Sequence, residues 1–266
     1  MNDPVLIPSA EAINYLSDDP FSNLMTLKML TMYPEWCRCL FYGRFDDGWA
    51  LRTELPTEHS HWDRQVYPDY QTIVMIDGNT KAGVLQAIEE ASLDSAVFKL
   101  HDPHTVAQMD ARSGISHRVS FISYSSAPTA EPTVVENDIP AEAHADYSEE
   151  AASLFAQNLY TQAEVEEHIS RGARWFGVRH ETELAAICIA FPIYSNIWEI
   201  GGVFTLPSYR RRGYAQTVVL EALRFLRGKD LRPRYQFKQG NVESQALAQS
   251  VGLEHVLTVS HYTTAN

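Results

Sequence analysis

The segment that decides the fold is Glu199-Ile-Gly-Gly-Val-Phe-Thr-Leu-Pro-Ser-Tyr-Arg-Arg-Arg-Gly-Tyr-Ala215. Its apolar first part predicts a β-strand over 197–205, and a helix is predicted over 215–226 after a turn at Pro207. A strand that leads through a glycine-containing loop into a helix N-terminus is suited to binding an anion. The first N–H groups of a helix have no partner in the helix, and its dipole adds positive partial charge there.

The side chains of this loop favour a phosphate group. Arg210, Arg211 and Arg212 provide guanidinium donors for phosphate oxygens, and Gly213 lets the backbone approach closely or adopt a positive φ. Three arginines alone would indicate a solvated basic turn before a surface helix. The order strand, proline, arginines, glycine and helix favours the anion site instead.

The charge distribution supports this interpretation. The 266-residue chain has 21 Lys and Arg against 34 Asp and Glu, a net charge of −13. Such a chain is poorly suited to nucleic acid or an anionic membrane, since both would repel it. Residues 207–238 nevertheless contain nine bases and two acids, whereas residues 119–170 contain ten acids and no Lys or Arg. Positive charge is therefore concentrated around the predicted anion loop.

The order of predicted elements indicates an α/β fold, with α+β character, built on a mixed sheet that carries helices on both faces. A polar, proline-containing stretch suggests a linker at 126–130 between an N-terminal domain, 1–125, and a C-terminal domain, 131–266. The first domain is predicted to contain a helix at 23–32, a hairpin of 35–45 and 49–55 around Asp46-Asp47-Gly48, and further elements at 72–76, 81–91, 96–100, 105–112 and 118–124. The second is predicted to contain helices at 143–156, 162–171, 215–226 and 242–250 and strands at 174–179, 185–194, 197–205, 235–238 and 256–261.

The loop also resembles a known family. Arg210-x-x-Gly213-x-Ala215 is similar to the pyrophosphate loop of the GNAT N-acyltransferase superfamily, and Asn241-x-x-Ser244-x-x-Leu247 followed by Gly252-Leu253 resembles its second signature. The resemblance covers about the last half of the chain and implies an acyl-CoA-binding fold there. The layout looks like that of two-domain glycine N-acyltransferase-like proteins, which implies a divergent first domain with a degenerate GNAT-like fold. This domain would then shape the acceptor pocket or cover the sheet.

The resemblance implies where coenzyme A would lie. The backbone of Val203, Phe204 and Thr205 would pair with the pantetheine arm like an added strand. Asn241 would face the pantetheine or the thioester, and Ser244 would contact the coenzyme; an ordinary helix cap and first turn is the alternative for both. The amides of the loop and helix start, assisted by arginine side chains, would hold the pyrophosphate; these residues are Arg210, Arg211, Arg212, Gly213, Tyr214, Ala215 and Gln216.

Two features near the start of the segment bear on catalysis. Glu199 interrupts an apolar strand, where an unpaired carboxylate is costly, and it lies where several family members keep a catalytic base. An outward-facing or salt-bridged glutamate is the alternative. Gly201-Gly202 indicates a β-bulge, which in the family splays the sheet to admit the coenzyme, or simply tight packing. Many family members place a proton-donating tyrosine seven residues after the asparagine, but Ala248 stands here.

The sequence thus predicts an acyl-CoA-dependent N-acyltransferase and favours an N-acetyltransferase. Its cosubstrate would be acetyl-CoA or another acyl-CoA, and no metal is expected. We expect direct attack by the primary amine of a small molecule in a ternary complex. A non-catalytic acyl-CoA-binding regulatory module and an acetyltransferase acting on a protein amine are the alternatives. Three cysteines, no signal peptide and no long apolar run indicate a cytoplasmic protein without membrane or nucleic-acid partners, and a homodimer is left open.

Overall fold

The computed structural model describes residues 3–45, 48–92, 94–127 and 139–265. The chain forms two compact units: Met1–Phe121 with Leu257–Asn266, and Ile122–Val256. The last ten residues therefore belong to the first unit. Part of the predicted linker, 128–130, and the predicted start of the second domain at 131 lie outside the described residues, so the boundaries 1–125, 126–130 and 131–266 stay predictions.

The first unit is built on a mixed sheet. Strands β2, β3 and β4 pair antiparallel in sequence order, β5 lies parallel to β4, and β12 pairs antiparallel with β5. Helix α4 forms the crossover between the parallel strands and packs on them through Val84, Ala87 and Ile88. The elements are β1 (Val5–Ile7), α1 (Ser9–Leu16), α2 (Leu24–Met32), β2 (Arg38–Phe45), β3 (Gly48–Pro56), α3 (His61–Val66), β4 (Thr72–Gly78), α4 (Lys81–Glu89), β5 (Ala96–Leu100), α5 (Pro103–Asp110) and β6 (Ile115–Ser125).

The second unit repeats this plan. Strands β8, β9 and β10 form an antiparallel meander, β7 pairs with β8, and β11 lies parallel to β10. Helix α8 forms the parallel crossover, and its buried residues Val218, Val219 and Leu223 pack in one apolar cluster with the strands. The elements are β7 (Glu142–His144), α6 (Glu149–Phe155), α7 (Gln162–Ser170), β8 (Arg174–His180), β9 (Glu183–Tyr194), β10 (Ile197–Thr205), α8 (Tyr214–Arg227), β11 (Arg232–Lys238), α9 (Val242–Ser250) and β12 (Glu254–Thr264).

The two units share an order of elements: a short strand, two helices, three antiparallel strands, a helix, a parallel strand, a helix and a last strand. Helix α3 is an addition in the first unit. Strands β6 and β12 each contribute residues to both units. The predicted α/β fold with a mixed sheet is confirmed. The shared order of elements is a structural repeat, although the sequence shows no obvious internal repeat.

The largest error of the sequence prediction is the helix over 143–156. Residues Glu142–His144 instead form β7, paired with β8, and the helix begins only at Glu149. The Ser148 side chain causes the later start, because its Oγ accepts the N–H of Ala151 at 3.3 Å and caps the helix. Strand β1 and helices α1 and α3 are not among the predicted elements. In the predicted hairpin, β2 and β3 pair as expected, and turn residues 46–47 lie outside the described residues.

No helix within the described ranges combines the length and the apolar character needed to cross a membrane.

Candidate active site

Strands β10 and β11 separate part-way along their length. Their parallel pairing runs from Ile197 opposite Arg232 to Ile200 opposite Tyr235, although β10 continues to Thr205. Over this remainder β10 stays paired with β9, as at Phe204 opposite Ile187. The side of β10 that faces β11 thus has no pairing strand over 201–205 among the described residues.

A β-bulge lies where the strands separate. Gly201 is opposite Ile189 but Phe204 is opposite Ile187, so β10 holds one residue more than β9 over this interval. Gly202 has a φ of +59°, and a Cβ there would lie 2.8 Å from the buried Phe155 ring. The bulge predicted at Gly201-Gly202 is confirmed, and Gly202 needs to be glycine for both conformation and space.

Beyond the bulge, the N–H and C=O groups of every second residue of β10 point into the gap between β10 and β11. Leu206 N–H donates to Ala185 of β9, and since the direction alternates along a strand, the groups of Val203 and Thr205 point away from β9. The Val203 carbonyl accepts from Asn158 Nδ2 at 2.8 Å, and the Thr205 carbonyl accepts from Arg210 Nε at 3.2 Å. These carbonyls, two of the groups predicted to bind pantetheine, therefore already accept side-chain donors.

The predicted anion loop has the geometry of an open helix N-terminus. Helix α8 begins at Tyr214 after Gly213, whose φ is +84° and which provides no side-chain cap. The first hydrogen bond of the helix runs from Thr217 N–H to the Gly213 carbonyl. The N–H groups of residues 214–216 therefore have no acceptor within the helix. The three arginines at 210–212 are exposed, and the first turn contains no acid. The loop is therefore positively charged and its amides are available to an anion.

Glu199 forms an ion pair across the two parallel strands. It lies opposite Arg234, and Arg234 Nη1 is 2.5 Å from Glu199 Oε2. The arginine side chain is 2% exposed and the glutamate side chain 17% exposed. Arg234 Nε also donates to Ser123 Oγ at 3.1 Å, which fixes the guanidinium. Glu199 is therefore salt-bridged, as the alternative interpretation of the sequence predicts. Its role as a catalytic base stays a prediction.

The second signature forms a helix start. Asn241 Oδ1 accepts the N–H of Ser244 at 3.0 Å, so Asn241 is the N-cap of α9. The Ser244 side chain hydrogen-bonds to Tyr235, whose pKa is raised to about 12 by burial despite this bond. Ala248 is fully buried. In this chain the position of the family's proton-donating tyrosine is therefore a buried alanine.

Comparison with known proteins identifies this half of the chain. The profile of the acetyltransferase (GNAT) family matches residues 136–253. This segment is a GNAT domain. Members of the family are acyl-CoA-dependent N-acetyltransferases, and acetyl-CoA is their usual cosubstrate. No curated protein sequence matches the chain.

Solved structures extend the likeness to the whole chain. A Drosophila protein is 14% identical with a TM-score of 0.64, and 99% of each chain is covered. A GCN5-related N-acetyltransferase from Kribbella flavida is 16% identical, with a TM-score of 0.61 over 92% of this chain and 96% of that one. A tandem GNAT protein from the clavulanic acid biosynthesis pathway is 14% identical, with a TM-score of 0.56 over 98% and 97%. At these identities the likeness shows the fold, a two-domain GNAT layout.

The GNAT domain also places at the bulge a tyrosine, Tyr160, that is not among the predicted site residues. The Tyr160 hydroxyl lies at the bulge: its oxygen would be 2.6 Å from a Cβ built on Gly201. The ring of Tyr160 lies 6.2 Å from that of His168, which stacks on Phe191 at 4.0 Å. Tyr160 directly precedes the Thr161 capping box of α7, and an aromatic residue at that position often turns inward. That signal could have found it.

The GNAT domain contains one cysteine, Cys188. Cys188 is buried, and its thiol donates to the Val218 carbonyl at 3.3 Å. Burial raises the pKa of this thiol far above its usual value, so the reactive thiolate is not formed at neutral pH. Within the described part of the whole chain, no group of His, Cys, Asp or Glu residues could hold a metal ion.

Proposed function

We propose that the C-terminal domain transfers the acetyl group of acetyl-CoA to a primary amine of a small molecule. The observation that carries this proposal is the separation of β10 from β11 at a bulge two residues after Glu199. The gap begins beside a carboxylate and β10 leads into the open N-terminus of α8. An acyl-CoA laid along this edge would have its thioester near the carboxylate and its pyrophosphate at the basic loop.

Coenzyme A fits the groups along this path. The amides of residues 211–216 and the side chains of the loop arginines would hold the pyrophosphate, because an uncapped helix start and guanidinium groups both favour phosphate oxygens. The edge of Val203, Phe204 and Thr205 would take the pantetheine. Each carbonyl oxygen has two lone pairs, so a pantetheine amide can bind Val203 beside Asn158 or in its place. Asn241 and Ser244 would line the opposite side from the start of α9.

The bound coenzyme supplies an acetyl group activated as a thioester. Glu199 would accept the proton of the attacking amine, directly or through one water. Arg234 contributes by holding the carboxylate in one orientation. The nitrogen attacks the carbonyl carbon, and the thiolate leaves without needing an acid, since a thiol is far more acidic than an amine or alcohol.

Direct transfer is favoured over an acyl-enzyme. The described thiol of this domain, Cys188, is buried, bonded to a carbonyl and protonated, so it is not a nucleophile. The amine would therefore attack the thioester itself while both substrates are bound.

A thiol-release assay with acetyl-CoA and a panel of primary amines tests this function. The wild type is expected to release coenzyme A with at least one amine, and Glu199→Gln to reduce the rate by about 10²–10⁴-fold, the usual range for a general base. Glu254→Gln is the matched control, because it removes the same charge from an exposed position in the second unit. The buried Ala248 favours a non-catalytic acyl-CoA-binding module as the second candidate. Acetyl-CoA binding without turnover on any amine would support that module.

A further inference from the structure

The Tyr160 hydroxyl lies at the bulge, beside the place where the thioester carbonyl of the proposed reaction would lie. Its oxygen approaches the Gly201 backbone so closely that a Cβ there would be 2.6 Å away. The backbone N–H of Gly202, at the centre of the bulge, hydrogen-bonds to this hydroxyl. A bulge amide that points into an acyl site is the type of donor that stabilises an oxyanion. Tyr160 lies directly beside that donor.

The chain around Tyr160 holds the hydroxyl at the bulge. Tyr160 N–H donates to the Phe155 carbonyl at 3.3 Å, and Asn158 is bonded to the Val203 carbonyl of β10. Leu159 between them has a φ of +65°, a left-handed conformation that directs the chain back toward the strand. On the other side, the reciprocal bonds of Thr161 and Glu164 fix the first turn of α7. Both flanks of Tyr160 are therefore anchored.

The hydroxyl keeps its proton at neutral pH. Burial raises the pKa of Tyr160 above its usual value, and the nearby carboxylates of Glu199 and Glu164 raise it further. The Gly202 N–H opposes this shift only in part. Tyr160 is half-buried and can therefore act as a hydrogen-bond donor that is partly shielded from water, which strengthens its effect.

We propose, on the basis of the proposed function, that Tyr160 is a catalytic residue whose O–H stabilises the oxygen of the tetrahedral intermediate together with Gly202 N–H. When the thioester oxygen takes the Gly202 N–H, the adjacent hydroxyl turns its hydrogen to the same oxygen. The amine nitrogen forms the C–N bond, and the carbonyl π electrons move to the oxygen. They then re-form the carbonyl as the C–S bond breaks and its electron pair leaves on sulfur. The proton of the nitrogen passes to Glu199, and Tyr160 keeps its own.

Tyr160→Phe tests this role, because it removes the hydroxyl and keeps the ring. The expected result is a fall in kcat of about 10²-fold with a KM for acetyl-CoA within about threefold, as for a donor used only in the transition state. Tyr147→Phe removes a half-buried hydroxyl elsewhere in the same unit and should leave both constants unchanged. Gly201→Ala provides an independent variant, since its Cβ would displace the hydroxyl while the tyrosine remains. It should show the same fall in kcat.

The outcomes separate this proposal from the proposed function. Retention of kcat within about threefold in Tyr160→Phe would overturn the role of Tyr160 and leave the acetyltransferase assignment intact. A loss of acetyl-CoA affinity and of Tm that accounts for the lost activity would also overturn it, because it would show a structural role. Absence of acetyl transfer by the wild type to ethylamine, benzylamine, 1,4-diaminobutane and lysine ethyl ester would count against the proposed function itself, and the role of Tyr160 would fall with it.

Discussion

Glu199 and Arg234 lie opposite each other on parallel strands at the last stretch of sheet before β10 and β11 separate, and their side chains are joined by a contact of 2.5 Å. This ion pair joins the proposed catalytic carboxylate to the neighbouring parallel strand. The arginine is buried, so the charge of Glu199 is needed to balance it. The same contact holds the carboxylate one residue before the last paired position of the two strands.

Removal of the arginine charge is expected to destabilise the second unit. Arg234→Met leaves the Glu199 carboxylate without its partner, and breaking such a buried pair costs about 3–5 kcal/mol of unfolding free energy. Urea denaturation measures the loss, and Arg224→Gln, an exposed arginine on α8, should change the free energy by less than about 1 kcal/mol. Equal stabilities of Arg234→Met and the wild type would show that the pair is not buried in solution.

The charge of the loop is expected to set the affinity for acetyl-CoA. Arg212→Gln removes one cation beside the α8 N-terminus and should weaken binding by about 3- to 30-fold at low salt, with a smaller effect at high salt, since exposed charges are screened. Calorimetric titration at two salt concentrations measures this. Lys229→Gln makes the same change of net charge beyond the other end of α8 and should leave the affinity unaltered. Equal effects of the two substitutions would mean that only the overall charge matters.

The bulge makes a separate prediction about stability. Gly202→Ala and Gly172→Ala both place a side chain at positive φ, which costs about 1–2 kcal/mol. An added Cβ at Gly172 meets nothing within 4 Å, but at Gly202 it would lie 2.8 Å from the buried Phe155 ring. Gly202→Ala should therefore be the more destabilising substitution by about 1–3 kcal/mol, the usual cost of overpacking. A smaller loss for Gly202→Ala than for Gly172→Ala in urea denaturation would be inconsistent with this packing.

The first unit should lose stability in mild acid through His261. Burial, then the charge of Lys99 and then His117, lower the pKa of this imidazole well below its usual 6.5, and its Nδ1 lies 2.7 Å from the Tyr67 hydroxyl. Below about pH 6.5 the unfolded chain binds a proton that the folded chain does not, so stability falls as the pH decreases. The slope approaches about 1.4 kcal/mol per pH unit for this one group.

The corresponding experiment compares unfolding free energies at pH 7.5 and 5.5. His261→Gln should show a smaller loss between the two pH values than the wild type, because it removes the titrating group. His255→Gln, at an exposed histidine, should keep the pH dependence of the wild type. Identical pH dependence in His261→Gln and the wild type would show that another group titrates.

Local sequence signals were sufficient for much of the fold and part of the site. The structure has Ile197–Thr205, Ala96–Leu100 and Val242–Ser250 at the predicted bounds, because turn residues or a helix cap mark their ends. The bulge and the positive φ of Gly213 were predicted because glycine has few other reasons to occur there. The helix over 143–156 was wrong because a capping serine and an edge strand outweighed its helical propensity.

The remaining site features depend on contacts that are distant in sequence. Arg234 meets Glu199 only because of the register between β10 and β11, and no local pattern encodes that register. The capping box at Thr161 can indicate that Tyr160 turns inward, but Tyr160 reaches the bulge only with Leu159 in a left-handed conformation, which is uncommon for leucine and unmarked in the sequence. In the proposed function the family signatures would contact the coenzyme, whereas these two residues would lie beside the reacting atoms.

We expect the C-terminal domain to catalyse acyl transfer from acetyl-CoA. Mass spectrometry of reaction mixtures that contain the full chain, acetyl-CoA and the amine panel tests it most directly. The expected result is an N-acetylated amine in amounts equal to the coenzyme A released, with both falling about 10²–10⁴-fold in Glu199→Gln. Binding of acetyl-CoA by the wild type without any acetylated amine would contradict it.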